Sequence, residues 1–520
     1  MDADEGMTAP RFSLLTRVTD AGPEAFAVTA ASVAEQSLPG WEWVVALAPS
    51  ASSQVRDALR DAAAAEPRII VLESDGDELA AGLAAGLAAA SGDFVGLLDL
   101  GDTLTRRALE FVAKTIDAAG DDLDVVYTDH DEPEADGPGR QAYYKPDWSP
   151  ERLRHHAYVG WLCVMRRSTL VEAGGFRPDA GSAAALDALL RVTERGGDVQ
   201  HVRRVLYRRN GGAPHEDADA VTAVQEHLDR VGIAATVTLS KTPGLLQIDR
   251  RPDVTTTTSV IIPTIGTAKE IWGTRRNLVT ETVRTVAEHS RHEDLEFVIV
   301  YDPPTPEEVL EELRALRESH GLRIRLVVFT EKFNFSAKCN VGAAYAAGDV
   351  LVFLNDDMAA RSDAVIEDLI APLREPGVGA TGGKLFFEDG TVQHGGVRFG
   401  SGHLSDPYRR ASADALGERG ELQINREVTV LTGACVAVRR EVFEEVGGFS
   451  ERFPMNFNDV DFGLKIARAG LRSVWLHDVQ LWHFESVSRD NTVRPWEFSR
   501  LEQRWGSRKV VRERYSNNVR

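Results

Sequence analysis

Cysteine, positive charge and long apolar runs are all scarce in this chain. Cys163, Cys339 and Cys435 are the 3 cysteines among 520 residues, far apart and without a Cys-x-x-Cys pair. That pattern excludes a disulfide framework or zinc knuckle and reads as buried thiols in a reducing compartment. Lysine and arginine number 59 against 80 acidic residues, a net charge of −21. Nucleic acid is excluded as the main partner, because phosphate binding needs a basic face. Broad adsorption to anionic membranes is disfavoured for the same reason. No apolar run reaches membrane-spanning length, and the Ala-rich stretch at 79–90 is a short helix leading into a strand. The first residues carry no basic-then-apolar signal, so the expected location is the cytoplasm. A basic tail, Arg500, Arg504, Arg508, Lys509, Arg512, Arg514 and Arg520 against Glu502 and Glu513, adds an expected peripheral contact with the inner membrane face or a charged acceptor.

What is present is core material and acids at strand ends. A hydrophobic fraction of 43% supports real cores, and the length predicts two or three domains. Residues 351–357, Leu-Val-Phe-Leu-Asn-Asp-Asp, read as a buried strand ending in two carboxylates. Open α/β sheets bind ligands at that end of a strand. Hard divalent cations take such oxygen ligands and can hold a diphosphate. Asn-Asp-Val-Asp (458–461) and Trp-His-Phe-Glu (482–485) follow, and together these segments suggest a metal-dependent enzyme acting on a nucleotide-linked substrate.

The chain also repeats itself. Met165–Phe176 (MRRSTLVEAGGF) matches Val438–Phe449 (VRREVFEEVGGF), and Gly92–Asp102 (GDFVGLLDLGD) matches Gly348–Met358 (GDVLVFLNDDM) without gaps. Two halves of one fold are expected, 1–240 and 258–490, with a linker at 241–257 and a basic helical tail at 491–520. In the first half strands are expected at 12–15, 41–47, 68–72 and 94–98. In the second half they are expected at 259–263, 296–301, 323–329 and 350–355. Helices are expected near 274–290, 306–318 and 336–347. Strands alternating with helices predict an α/β fold with a parallel sheet wound on both faces.

In order along 258–490 stand SVIIPT (259–264), FNFSAKCNVG (333–342), LNDD (354–357), DGTVQHG (389–395), LTGAC (431–435), VGGF (446–449), FNDVD (457–461) and HFES (483–486). Together they resemble family 2 glycosyltransferases of the GT-A fold. The first half is similar to the amino-terminal domain of two-domain members, through YYKPDWSPERL (143–153) and VEAGGF (171–176). The resemblance implies two tandem GT-A domains and inverting sugar transfer from a nucleotide-diphosphate donor to a glycan or lipid-linked acceptor. It implies Mg²⁺ or Mn²⁺ on Asp357, Asp356 and His483, with Asp357 the direct ligand and Asp356 nearer the ribose. Asp459 would be the base that takes the acceptor proton. Asp461 would cap or brace the following helix and border the substrate. Thr264, Asp302, Lys338, Asn340 and Asn355 would face the nucleotide, and Gln393, His394 and Gly433 the sugar or acceptor. Tyr301 stands where the family usually has an acid, with Asp302 one place later, so the nucleotide base contacts depart from the pattern.

Laid over the second half, the first half lacks these groups. Gly101 falls opposite Asp357, Ala185 opposite Asp459, and, with one extra residue, Arg208 opposite His483. One working site in the second half and a non-catalytic first half are therefore expected. Asp99, Asp102 and the Asp129–Asp131 stretch leave a metal-independent site open. Other readings left open are a nucleotide-sugar sensor or scaffold without turnover, and a bifunctional polymerase with two live sites.

Overall fold

The computed structural model describes residues 11–19, 23–134, 137–210, 218–400, 403–485, 493–506 and 513–516. The chain divides into two compact units, Met1–Trp148 with Leu153–Ile248, and Ser149–Arg152 with Asp249–Arg520. The expected linker at 241–257 is partly regular. β11 (Leu246–Arg250) pairs with β10 (Ala235–Leu239), and Leu246 and Ile248 are buried.

The first unit's sheet uses β1 (Phe12–Val18), β2 (Trp41–Leu47), β3 (Ile69–Glu73), β4 (Phe94–Leu97), β5 (Thr103–Leu104), β6 (Leu123–Pro133), β7 (Arg140–Tyr143), β8 (Cys163–Arg166) and β9 (Asp198–Arg208). Its order is β3-β2-β1-β4-β8-β6-β9-β5, with β7 beside β6. The second unit contributes β12 (Thr258–Thr264), β13 (Ala268–Ile271), β14 (Thr274–Asn277), β15 (Leu295–Tyr301), β16 (Arg323–Val328), β17 (Val350–Leu354), β18 (Met358–Ala360) and β19 (Val378–Phe386). Further on lie β20 (Val392–His394), β21 (Arg398–Gly400), β22 (His403–Ser405), β23 (Arg426–Val428), β24 (Cys435–Arg439) and β25 (Arg472–His483). Its sheet runs β16-β15-β12-β17-β24-β19-β25-β18. Strand for strand this is the order of the first unit, so the sequence repeat is a fold repeat.

The sheets are mixed, which corrects the all-parallel expectation. The four early strands pair in parallel, while β8 and β24 run antiparallel to β4 and β17. A buried polar knot recurs at equivalent points. Ser13 Oγ donates to Glu42 at 2.5 Å and Ser259 Oγ to Glu296 at 2.6 Å, and each serine accepts a glycine N–H, from Gly92 or Gly348. A Cβ at either glycine would lie under 3 Å from the serine backbone nitrogen (2.8 and 2.6 Å), so only glycine fits there.

Every residue of β17 is buried, consistent with an apolar run packed on both faces. Helix Leu278–Glu288 turns Val279, Val283 and Val286 into that core, each fully buried side chain contributing about 1.5–3 kcal/mol. Thr282 on the same face donates to the carbonyls of Asp356 and Met358, both at 2.8 Å. Thr29 binds the Asp102 carbonyl at 2.9 Å in the first unit. These threonines tie the first helix of each unit to the strand end that carries the acids. The sequence expectation of a helix from 274 is corrected: residues 268–277 form the β13–β14 hairpin, and the helix starts at Leu278.

Candidate active site

The loop after β17 holds Asn355, Asp356 and Asp357, and antiparallel pairing of β18 with β25 sets Met358 opposite His483. Asp357 is 3% exposed, and its Oδ1 lies 3.2 Å from His483 Nε2. Gln393 Nε2 donates to the His483 carbonyl at 3.3 Å, which leaves Gln393 Oε1 to accept the His483 Nδ1 proton. Nε2 is then the lone-pair nitrogen, turned toward Asp357, and Asn355 Nδ2 donates to it at 3.2 Å. A neutral imidazole held from behind by an amide, facing a buried carboxylate, suits a divalent cation. Among the described residues no group of three or more histidine, cysteine, aspartate or glutamate side chains is placed to hold a metal ion. Of the expected triplet, Asp357 and His483 face each other, whereas Asp356 accepts Thr264 Oγ1 at 2.6 Å. Burial first, then the charge of Asp357, push the Asp356 carboxyl upward, against the Thr264 hydrogen bond and the Lys338 charge.

Thr264, Asp302 and Lys338 meet at the carboxyl ends of β12 and β15. Lys338 Nζ donates to the Thr264 carbonyl at 2.7 Å and to Asp302 at 3.0 Å. Burial pushes the Lys338 ammonium down, and the Asp302 hydrogen bond opposes it. Asn340 stands two residues beyond Lys338. It bonds Phe449 N–H and carbonyl at 2.9 Å each and pins the VGGF turn, so its amide is taken up by structure.

Asp459 opens helix Asn458–Arg468 and is half-buried. Gly433 N donates to its Oδ2 at 3.2 Å, and Val460 N to its Oδ1 at 2.8 Å. The preceding Phe457 sits at φ 64, a left-handed conformation that costs a non-glycine residue about 1–3 kcal/mol. Asp461 stands two residues further on, in the first turn of the same helix. It lies within the helix, 0% exposed, accepting from Trp505 Nε1 at 2.8 Å and paired with Arg504 at 2.6 Å. Gln393 bonds the His483 carbonyl and ring. His394 is buried, and its Nδ1 is bonded to Asp406 at 2.8 Å.

The family profile "Glycosyl transferase family 2" matches residues 22–172 and 259–447. The chain belongs to glycosyltransferase family 2. The match in both halves makes the two units tandem GT-A domains. A second profile, "Glycosyl transferase family group 2", matches 386–510. An O-antigen biosynthesis protein, RfbC of Myxococcus xanthus, is 35% identical over 92% of this chain and 38% of its own length. An N-acetylglucosaminyl-diphospho-decaprenol L-rhamnosyltransferase of Mycobacterium tuberculosis is 30% identical over 27% of this chain and 48% of its own. The chain thus spans well under two thirds of these relatives. Among solved structures, a mannosyltransferase of Pyrobaculum calidifontis in complex with GDP-Man and Mn²⁺ shares 20% identity at TM-score 0.33, over 48% of this chain and 63% of that one.

In this family 2 chain the first unit's strand ends are filled by structural bonds. Tyr207 Oη donates to Asp102 at 2.6 Å and accepts the Asp99 N–H, and Asn210 N donates to Asp102 at 2.6 Å. Asp129 accepts from Lys145 N and from His201, both at 2.8 Å, and Asp131 pairs with Arg140 at 2.6 Å. The carboxylate equivalent to Asp461, Asp187, is buried between Arg177 at 2.7 Å and Arg191 at 2.6 Å. Both units therefore keep a buried acid paired with arginine, and the half-buried acid two residues earlier survives only in the second. Arg208 pairs with Thr103, opening the β5–β9 ladder as His483 opens β18–β25, and its side chain is 56% exposed. Sequence reasoning missed the Gln393–His483 bond and the Arg504–Asp461 pair, whose partners lie far apart in sequence with no motif to join them.

Proposed function

We propose that the second unit transfers a sugar, with inversion, from a nucleotide-diphosphate donor to a hydroxyl of a glycan or lipid-linked acceptor, in building a cell-surface polysaccharide at the cytoplasmic side. The observation that carries this reading is the paired difference at Asp459 and Ala185. The half-buried acid held by Gly433 is kept where Asp357 and His483 face each other and is lost where they are replaced.

Asp459 would take the acceptor hydroxyl proton as that oxygen bonds to the anomeric carbon, while the bond from that carbon to the diphosphate oxygen breaks and the diphosphate leaves with the electron pair. Attack opposite the leaving group inverts the anomeric configuration. Asp357 and His483 would hold Mg²⁺ or Mn²⁺, which when bound supplies positive charge for the leaving diphosphate. Gln393 keeps His483 in the ligand tautomer, and Thr264, Asp302 and Lys338 border the nucleotide end. The first unit serves positioning or stability rather than turnover. Membrane contact through the tail rests on few described residues: Arg500 bonds the Arg452 carbonyl at 2.7 Å and Arg504 bonds Asp461. Arg508, Lys509, Arg512 and Arg520 lie outside the described residues.

The test is nucleoside diphosphate release from a panel of nucleotide sugars with Mn²⁺ and a lipid-linked glycan acceptor. Wild type should turn over one donor, and Asp459→Asn should lower the rate ~10²–10⁴-fold with donor binding retained. Asp102→Asn should keep the rate. Full activity in Asp459→Asn would sink the assignment, and donor binding without turnover in wild type would favour a sensor or scaffold.

A further inference from the structure

Between the first strand and first helix of the two units the repeat breaks. Residues 19–22 join β1 to the helix that starts at Pro23, whereas residues 265–277 separate β12 from the helix that starts at Leu278. The extra length folds as the β13–β14 hairpin, with Ala268 opposite Asn277 and Ile271 opposite Thr274. Its two-residue turn, Trp272-Gly273, has φ of 48° and 73°, both left-handed as the tight turn of a twisted hairpin requires. Glycine meets that need freely; Trp272 does not. Trp272 is also 45% exposed, so core packing does not explain an indole in a strained turn.

What Trp272 touches does explain it. Its ring stands edge-on to Phe484 at 5.0 Å and to Trp482 at 6.1 Å, the two neighbours of His483. Ile271, 0% exposed, packs in a small cluster with Leu278, Ala359 and Phe484. Lys269 Nζ donates to the Phe484 carbonyl and, at 3.3 Å, to the Glu485 carbonyl. Trp272 N in turn donates to Glu388 at 2.8 Å, which fixes the hairpin tip. Meanwhile β25 is running out of partners there. Met358–His483 is the terminal pair of its ladder with β18, and one further backbone bond follows, Phe484 N to the Asp357 carbonyl at 3.0 Å.

From this geometry we infer that the β13–β14 hairpin is a latch, specific to the second unit, in which Lys269 and Trp272 are positioning residues that hold His483 against Asp357. The inference rests on the proposed metal-binding role of that pair. Strand ends fray where ladder bonds stop, and a cation site needs its ligands held to a fraction of an ångström. Two backbone carbonyls captured by one ammonium, with an aromatic wedge across residues 482 and 484, supply that hold from outside the sheet. At the matching places the first unit has Arg208 for His483 and only residues 19–22 for the hairpin segment, so ligand and latch are absent together.

The test uses the full chain with Lys269→Met, Trp272→Ala and Trp272→Phe. Mn²⁺ would be titrated in the presence of an equimolar mixture of UDP, GDP, CDP and dTDP, with free Mn²⁺ read by electron paramagnetic resonance. Melting temperature without metal would be measured on the same samples. The latch predicts that Lys269→Met and Trp272→Ala weaken Mn²⁺ binding by ~10-fold or more, the scale of ligand-orienting partners, with melting temperatures close to wild type. Trp272→Phe, which keeps an aromatic edge, should recover most of the affinity. Wild-type Mn²⁺ binding in a well-folded Lys269→Met overturns the latch while leaving the metal site standing. Absence of Mn²⁺ binding in wild type overturns both, and is told apart by that control.

Discussion

Gln393 contributes no ligand atom, yet its amide decides which nitrogen of His483 faces Asp357. The oxygen accepts from Nδ1 and leaves Nε2 with its lone pair 3.2 Å from Asp357 Oδ1. Gln393→Ala removes that choice and should raise the half-saturating Mn²⁺ concentration ~10–100-fold, read by metal titration of nucleotide release; an unchanged metal dependence would mean the amide does not set the tautomer. A second residue-scale effect concerns protons. Lys145 is buried in the first unit, donating to the Trp161 carbonyl at 3.4 Å and to the Val159 carbonyl, and burial pushes its ammonium down to about 7 from the model-compound value of 10.5. Between those values the unfolded chain binds the proton that the folded chain has released. Stability therefore rises with pH from about 7 toward 10.5, and the Lys145 penalty is fully present below that window. Lys145→Met should flatten the slope, seen in urea midpoints at a series of pH values; a variant with wild-type slope would remove Lys145 as its source.

At the scale of elements, the duplicated threonines make the clearest test of how the site is held. Thr282 Oγ1 bonds two carbonyls and accepts the Met358 N–H at 3.0 Å, all in the strand end that carries the acids. Thr282→Val keeps the shape and leaves those groups unpaired, at a cost of about 1–3 kcal/mol. Melting temperature should fall, and turnover should fall with it because Asp357 sits on the loosened loop. Thr29→Val should cost similar stability with turnover intact. A Thr29→Val variant that loses turnover while still folded would place chemistry in the first unit.

For the whole molecule, the two sheets share one strand order but only one keeps Asp357, Asp459 and His483. Calorimetric titration with the productive donor in Mn²⁺ should give one site per chain. A stoichiometry of two would revive the bifunctional polymerase. Restoring single acids, by Gly101→Asp or Ala185→Asp, should not create a second active site. Tyr207, Asn210 and His201 already occupy the hydrogen-bonding capacity of Asp102 and Asp129.

Much of this protein was legible in its residues. Apolar runs located most core strands to within a residue or two, while β1 runs three residues past its expected end; side-chain burial at strand spacing is written locally. The repeat told of two like folds, and the ordered motifs told of the family. Asp357 stood out because an acid after a buried run is costly unless it has a task, and Asp459 because it matches the base position of the family motif. Only the tertiary structure decided what each polar group is committed to. Asn340, His394 and Asp461 sit in the motifs as plausibly as Asp459, and the fold bonds them to Phe449, Asp406 and Arg504. The β13–β14 hairpin likewise read as helix, because Thr274–Asn277 carries no alternation strong enough to reveal a strand. Its grip on residues 482–485 depends on partners some two hundred positions away. Local pattern records burial; it does not record which distant group accepts a proton, and the assignment of function turns on that.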